Sequence, residues 1–368
     1  MHYQELDTPC LLIDRERVME NIDRVQAFAN AHHVALRPHT KTHKMPEIAK
    51  LQLKHGACGI AVAKVGEAEV MAHAGITDIL IANEIVGSIK LHRICALLET
   101  AQIAFGVDTP CQVFDAERVF SQNGQTAQVY IEIEVGENRS GVTNEQQFSE
   151  LLSAIGQCPH VQLKGLFSHD GNSYRAKDLT ALKEISLYAQ QRTLYFAKLA
   201  REAGFPCPVI SYGATPTILN DIPILDGITE LRLGTYVFMD AGQSAAIHTL
   251  EHCAATVLTT VISRPTEERV VFDVGAKGLT MQTRTEGICA VEGKGILFEH
   301  PEYHISGMYD EHSLVLNRDF RASCRIGEKY RIIPVHICPA VNLYDEAWMI
   351  SGNEVVGKLQ IACRGKIQ

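Results

Sequence analysis

No apolar stretch in the 368 residues approaches the ~18 that cross a bilayer, so the 46% hydrophobic fraction belongs to packed cores. The start, MHYQELDTPC, lacks a basic segment followed by an apolar one; no export signal is expected, and the mature chain is expected to begin here. Long runs of either charge sign are also missing, although the net charge is −9. That pattern argues against a nucleic-acid surface or a lipid-binding patch and for a small-molecule function in a soluble protein. The eleven cysteines form no framework: they are odd in number, scattered and set in apolar or strand-like contexts, as at Cys58, Cys95 and Cys289. Reduced thiols in the cytoplasm are the expectation. There is no internal repeat, no low-complexity tract and no Pro- or Ser-rich linker to mark a domain boundary.

What is present is alternation. From Val34 to about Met239, short β-branched runs alternate with longer helical stretches, the signature of repeated βα units. Eight strands are predicted: Val34 to Arg37, Cys58 to Ala63, Asp78 to Ala82, Ile103 to Val107, Ala127 to Val135, Val161 to His169, Pro208 to Ser211 and Glu230 to Leu233. Helices follow most of them, clearly so in the stretches closed by Gly56 and Gly75 and in the run from Lys177 to Gly204. Eight units close a (β/α)₈ TIM-type barrel of the α/β class, which takes about 250 residues. From Cys253 onward β-rich segments such as AATVLTTVIS, RVVFDV, YRIIPVHIC and EVVGKLQIAC predict a C-terminal antiparallel β-domain. The expected division is residues 8–245 and 246–368, and the strand Cys10 to Ile13 is open to joining either part.

Barrel active sites lie at the C-terminal ends of the strands. After the first strand comes Arg37-Pro38-His39-Thr40-Lys41-Thr42-His43-Lys44. A lysine crowded by cations loses its proton more easily, which makes Lys41 the candidate amine nucleophile; the plain alternative is a solvated basic loop. After the fifth strand Arg139 stands in a Gly-flanked loop, and after the sixth His169 is placed to face a cofactor ring. Either one alone reads first as an ordinary loop ion pair or a satisfied histidine; together they say more. After the seventh and eighth strands, Ser211, Gly213 and Thr215, then Gly234, Thr235 and Tyr236, form small hydroxyl-bearing loops where barrels commonly bind phosphate. A phosphate site facing an activated lysine points to pyridoxal 5'-phosphate. In the β-rich part His336 and Cys338, two apart on an expected extended segment, would point to one side and share a metal. Such a pair should occur by chance roughly half a time in this chain, so its weight depends on context. Imidazole with thiolate favours zinc, with manganese or magnesium as alternatives.

The segments LDTPCLLID, RPHTKTHK, VAKVGEAEVMAHAGITDILIA, GENRSGV, SYGATPT, ELRLGTYVFMD, DVGAKGL and VHICPAVNL occur in order. Together the chain resembles the D-threonine aldolase and D-serine dehydratase family, pyridoxal-phosphate enzymes related in fold to alanine racemase. The resemblance implies that Lys41 carries the cofactor as a Schiff base and that Arg139 and His169 lie against it. It also implies that Ser211, Gly213, Thr215, Gly234 and Tyr236 surround its phosphate, that His336 and Cys338 are the metal pair, and that the protein is a homodimer. The implied activity is a metal-dependent lyase acting on D-configured 3-hydroxy amino acids. Two places depart from the family pattern: Asn172 stands where a second histidine is often found, and Ser313 where glycine is. Cys338, where aldolases of the family tend to carry an acidic residue, leans the implied activity toward a dehydratase. An amino-acid racemase and a non-catalytic cofactor-binding protein are the competing readings.

Overall fold

The protein, described by a computed structural model over residues 1–368, divides into two compact units. One comprises Val25–Lys41, Ile48–Gly234 and Lys366–Gln368; the other comprises Met1–Arg24, Thr42–Glu47 and Thr235–Gly365.

The first unit is the barrel. Its eight strands are Ala35–Leu36, Ile60–Val62, Asp78–Glu84, Gln102–Val107, Ala127–Ile133, Val161–Ser168, Val209–Tyr212 and Glu230–Leu231. Neighbours pair in parallel throughout, Ala35–Leu36 lies against Glu230–Leu231, and a parallel bridge from His39 to Ala61 joins the first strand's continuation to the second. These strands read as near-continuous apolar runs because both faces are covered. Ile79, Leu80, Ile81, Val129, Ile131 and Leu166 are all buried. Inside, Ala61, Leu80, Tyr130 and Phe167 pack into one cluster. Helices Pro46–Lys54, Val65–His73 and Leu179–Glu202 follow strands as their sequence patterns require, and Gly56, Gly75 and Gly204 sit just past their ends with positive φ.

The second unit is β-rich but not purely antiparallel. Its sheet runs Gly307–Met308, Ser313–Leu316, Arg269–Phe272, Ala255–Ser263, Cys10–Asp14, Glu346–Ser351, Glu354–Gln360, with Lys329–Pro334 added beside Ala255–Ser263. The pairing of Cys10–Asp14 with Glu346–Ser351 is parallel, with Leu12 opposite Trp348. Every other pairing in this sheet is antiparallel, as expected, and this one is the exception. A strand from the chain's start is not linked by a hairpin to one near its end, so nothing in the connection forces them to run oppositely. Tyr3, Leu6, Leu12, Leu258 and Ile350 form a core beside this strand. No helix in the molecule is long and apolar enough to cross a membrane.

Candidate active site

The loop carrying Lys41 is not a solvated basic patch. His39, Thr40, Thr42, His43 and Lys44 are all buried, and Lys41 alone among residues 39 to 46 keeps partial exposure. Short-range bonds shape the barrel side of the loop. The His39 amide donates to the Leu233 carbonyl at 2.7 Å, the Thr40 amide to the Ala61 carbonyl at 2.8 Å, and the Lys41 amide to His39 Nδ1 at 3.3 Å. Pro38 bars a helix at residue 37, and the turn that follows leaves Lys41 at the C-terminal end of the barrel strands.

Five more predicted residues gather at that end. His169 follows strand Val161–Ser168, and its Nδ1 lies 3.0 Å from the Gly213 carbonyl, which fixes the proton on Nδ1. Desolvation, then the positive charges of Lys41, Arg139 and Arg232, hold this imidazole well below its ordinary pKa, so it is neutral near pH 7. Ser211 is wholly buried, and its Oγ accepts from Arg232 Nη1 at 3.0 Å. Gly213 has φ +147°, and a β-carbon there would come within 3.3 Å of the Arg232 amide nitrogen, so the backbone turns where a side chain would be strained. Thr215 opens helix Thr215–Leu219, whose preceding residue, Ala214, offers no side-chain cap. The first-turn amides are therefore open to an outside acceptor. Arg139 is the loosest of the predicted set: its side chain is 51% exposed and meets Glu137 at 3.3 Å and Glu132 at 3.6 Å. Buried hydroxyls, an uncapped turn and a positive field around His169 fit a phosphorylated aldehyde cofactor held at Lys41. Gly234 ends the barrel unit.

Thr235, Tyr236, His336 and Cys338 belong to the β-rich unit. The metal pair does not have the expected geometry. Strand Lys329–Pro334 stops short of it; His336 precedes helix Ile337–Val341, and Cys338 lies in the first turn of that helix. Pro339 fits that first turn, where its missing N–H costs nothing, so the two-residue spacing does not act as a strand repeat. The pair is nonetheless held firmly. Asp240 Oδ2 accepts from the Ile337 amide at 3.1 Å, and Cys338 Sγ lies 3.2 Å from Thr42 Oγ1 and 3.6 Å from Thr235 Oγ1. His336 Nδ1 bonds Gln282 Oε1 at 3.0 Å, which puts the proton on Nδ1 and the lone pair on Nε2. No group of three or more His, Cys, Asp or Glu stands ready to close a metal site. One imidazole and one thiol suit a borderline-soft cation whose other positions stay open to substrate and water.

Several polar residues here had no role assigned from sequence. Arg232 is buried over the Phe167 ring at 4.9 Å and also donates to the Ser168 carbonyl at 3.1 Å. Asp170 and Asp240 anchor loops through hydrogen bonds. Glu84 faces Glu132 near the ends of their strands; burial, then the neighbouring Glu132 carboxyl, push Glu84 up to about 9. For Asp170 and Asp240 the signal was present, since each follows a predicted strand or stands inside a quoted motif. Of the two departures, Ser313 is wholly buried in its sheet opposite Phe272 and Met308, whereas Asn172 keeps partial exposure and packs against Gly136.

Comparison with known proteins extends over the whole chain. Residues 13–242 match the family model "Alanine racemase, N-terminal domain" and residues 254–350 match "Putative serine dehydratase domain". A D-threonine aldolase from Arthrobacter sp is 33% identical over 98% of this chain and 93% of its own. The D-threo-3-hydroxyaspartate dehydratase of Delftia sp. (strain HT23) is 33% identical over 90% of this chain and 91% of its own. In structure, a D-threonine aldolase from Filomicrobium marinum superposes with a TM-score of 0.89 at 30% identity, covering 100% of this chain and 98% of its own. The Delftia dehydratase superposes with a TM-score of 0.91 at 28% identity, covering 98% of both. Two further similar structures, of D-threo-3-hydroxyaspartate dehydratase, carry a histidine-to-alanine or a cysteine-to-alanine replacement at positions two apart, and the cysteine variant is in the metal-free form.

Proposed function

Since this chain belongs to the family that joins an alanine-racemase N-terminal domain to a serine-dehydratase domain, we propose that it is a pyridoxal-phosphate-dependent lyase of D-configured 3-hydroxy amino acids, working with a divalent metal as a dehydratase. The observation that carries the choice of reaction is the imidazole and thiol pair, His336 and Cys338, presented from the start of one helix. A histidine and a cysteine at the same spacing are the residues replaced in the D-threo-3-hydroxyaspartate dehydratase variants.

Each residue has a task in this reading. Lys41 would hold the cofactor through Nζ, and its amine, when free, would accept the substrate's α-proton. The bound cofactor supplies an electron sink for the charge that develops at the α-carbon. His169, neutral and oriented by the Gly213 carbonyl, gives the ring a flat uncharged neighbour. Ser211, Gly213, Thr215, Gly234, Thr235 and Tyr236 receive the phosphate, and Arg139 lies against the ring. His336 and Cys338 would hold the cation, zinc first, whose Lewis acidity helps the β-hydroxyl depart. Homodimerisation and a cytoplasmic setting complete the reading; the eleven cysteines, none of them in a disulfide, support a reducing compartment.

The second reading is an aldolase, favoured by the 33% identity with the Arthrobacter enzyme. Purified protein incubated with D-serine or D-threonine, with and without chelator, separates the two. Pyruvate and 2-oxobutanoate that vanish with chelator are expected. Glycine with acetaldehyde would make the enzyme an aldolase, and cofactor absorbance without any product would overturn the substrate class.

A further inference from the structure

Asp170 is a fully buried carboxylic acid that the proposed chemistry leaves unused. It follows His169 directly, and no cation pairs with it. One oxygen, Oδ2, accepts from three hydroxyls: Tyr212 Oη at 2.8 Å, Thr217 Oγ1 at 3.0 Å and Ser186 Oγ at 3.4 Å. The donors also touch one another, Ser186 Oγ to Thr217 Oγ1 at 2.8 Å and Tyr212 Oη to Thr217 Oγ1 at 3.3 Å. The other oxygen, Oδ1, has no partner at all. Burial pushes the group up to about 6, against the pull of its hydroxyl donors. An apolar residue would fill this volume at lower cost.

The positions of the donors explain the expense. Tyr212 ends strand Val209–Tyr212, and Thr217 lies inside helix Thr215–Leu219. Between these two pins lie Gly213 with its positive φ, Ala214 with no capping side chain, Thr215 and Pro216. A third tether, Ser186, ties the carboxyl to the long helix Leu179–Glu202. We infer that Asp170 is a positioning residue for the cofactor phosphate: one carboxyl oxygen clamps both ends of the segment from Tyr212 to Thr217, so that its uncapped amides stay aimed at a phosphate. The inference rests on the proposed cofactor and on Lys41 as its anchor. It predicts that Asp170 governs affinity for the phosphate end and leaves bonding of the aldehyde to Lys41 untouched.

Apoprotein titrated with pyridoxal 5'-phosphate and, separately, with pyridoxal, which lacks the phosphate, tests this through visible absorbance and needs no turnover. In Asp170→Ala the affinity for the phosphorylated ligand falls about tenfold or more, while that for pyridoxal stays within about twofold. Asp170→Asn keeps an acceptor oxygen and stays within about threefold of wild type for both ligands. Thr217→Val removes one pin and falls between these; it carries the test should the alanine variant not fold. Unchanged affinity for the phosphorylated ligand in Asp170→Ala or Thr217→Val overturns the clamp, as does an equal loss for both ligands, which would mark a general structural role. Absence of visible absorbance in the wild type with either ligand is a different failure: it removes Lys41 as the anchor, and the clamp with it.

Discussion

Glu230 and Asp170 lie in the same barrel, both buried, and their charges are met in opposite ways. Glu230 stands at the start of its strand, where Arg37 Nε donates to it at 2.8 Å while Arg37 Nη1 reaches Asp78 at 2.6 Å. Gly59 makes room for this guanidinium: a β-carbon there would fall 2.3 Å from Arg37 Nη1. Asp170 stands just past the end of its strand and meets only hydroxyls. A carboxylate paired with an arginine has a full counter-charge beside it. One held by hydroxyls keeps its charge conditional and its partners adjustable. The starts of the strands are thus built to stay put, and the ends are built to receive something, which is the division of labour barrels follow generally.

Substitutions that separate the two ends sharpen this contrast. The largest effect is expected at Lys41. Lys41→Ala should lose turnover by about 10³-fold or more and all cofactor absorbance, while its unfolding midpoint as apoprotein moves little. A coincident collapse of stability would place Lys41 among the structural residues instead. Next comes Arg37→Ala, the mirror case. It leaves Glu230 buried without its cation and should cost about 3–5 kcal/mol in urea unfolding, with cofactor affinity of the folded fraction unchanged. A small loss would mean that water reaches the site and the starts of the strands are less sealed than the geometry indicates. Smaller again is Cys338→Ala, expected to lower activity about 10- to 100-fold through weaker metal retention. Cofactor absorbance should persist, and excess zinc should restore part of the rate.

The same contrast explains what could be read from the sequence. The eight barrel strands were legible because stretches such as Ile79 to Ala82 and Ile103 to Val107 are covered on both faces and announce themselves by continuous apolar residues. The helix ends at Gly56, Gly75 and Gly204 were legible because positive φ selects glycine. Residues acting through local loop chemistry, such as Lys41 and His169, were nameable as candidates from their place after a strand. What stayed hidden depends on contacts distant in the chain. The parallel pairing of Leu12 with Trp348 joins residues with no hairpin between them. Asp170 finds its donors 16, 42 and 47 positions away. For His336 and Cys338 the misreading was local: Pro339 inside the first turn of Ile337–Val341 allowed a helix where an extended segment was expected.

The smallest effect is a pH dependence that falls on one end of the barrel only. Asp170 titrates at about 6 in the folded protein against an ordinary 3.8, because burial disfavours its charge. Between those values the folded state holds the proton more tightly than the unfolded chain, so the native state loses stability as pH rises through this window. Below it both states are protonated, and above it both are charged and the loss is complete. The full difference amounts to at most about 3 kcal/mol. The unfolding free energy of wild-type apoprotein minus that of Asp170→Asn, measured from pH 4 to 7, isolates the group from every other titration. This difference should shift against the wild type up to about pH 6 and then level off. A flat difference would mean that Asp170 binds its proton equally in the folded and unfolded chain, and the hydroxyl cluster would then offset the whole cost of burying its charge.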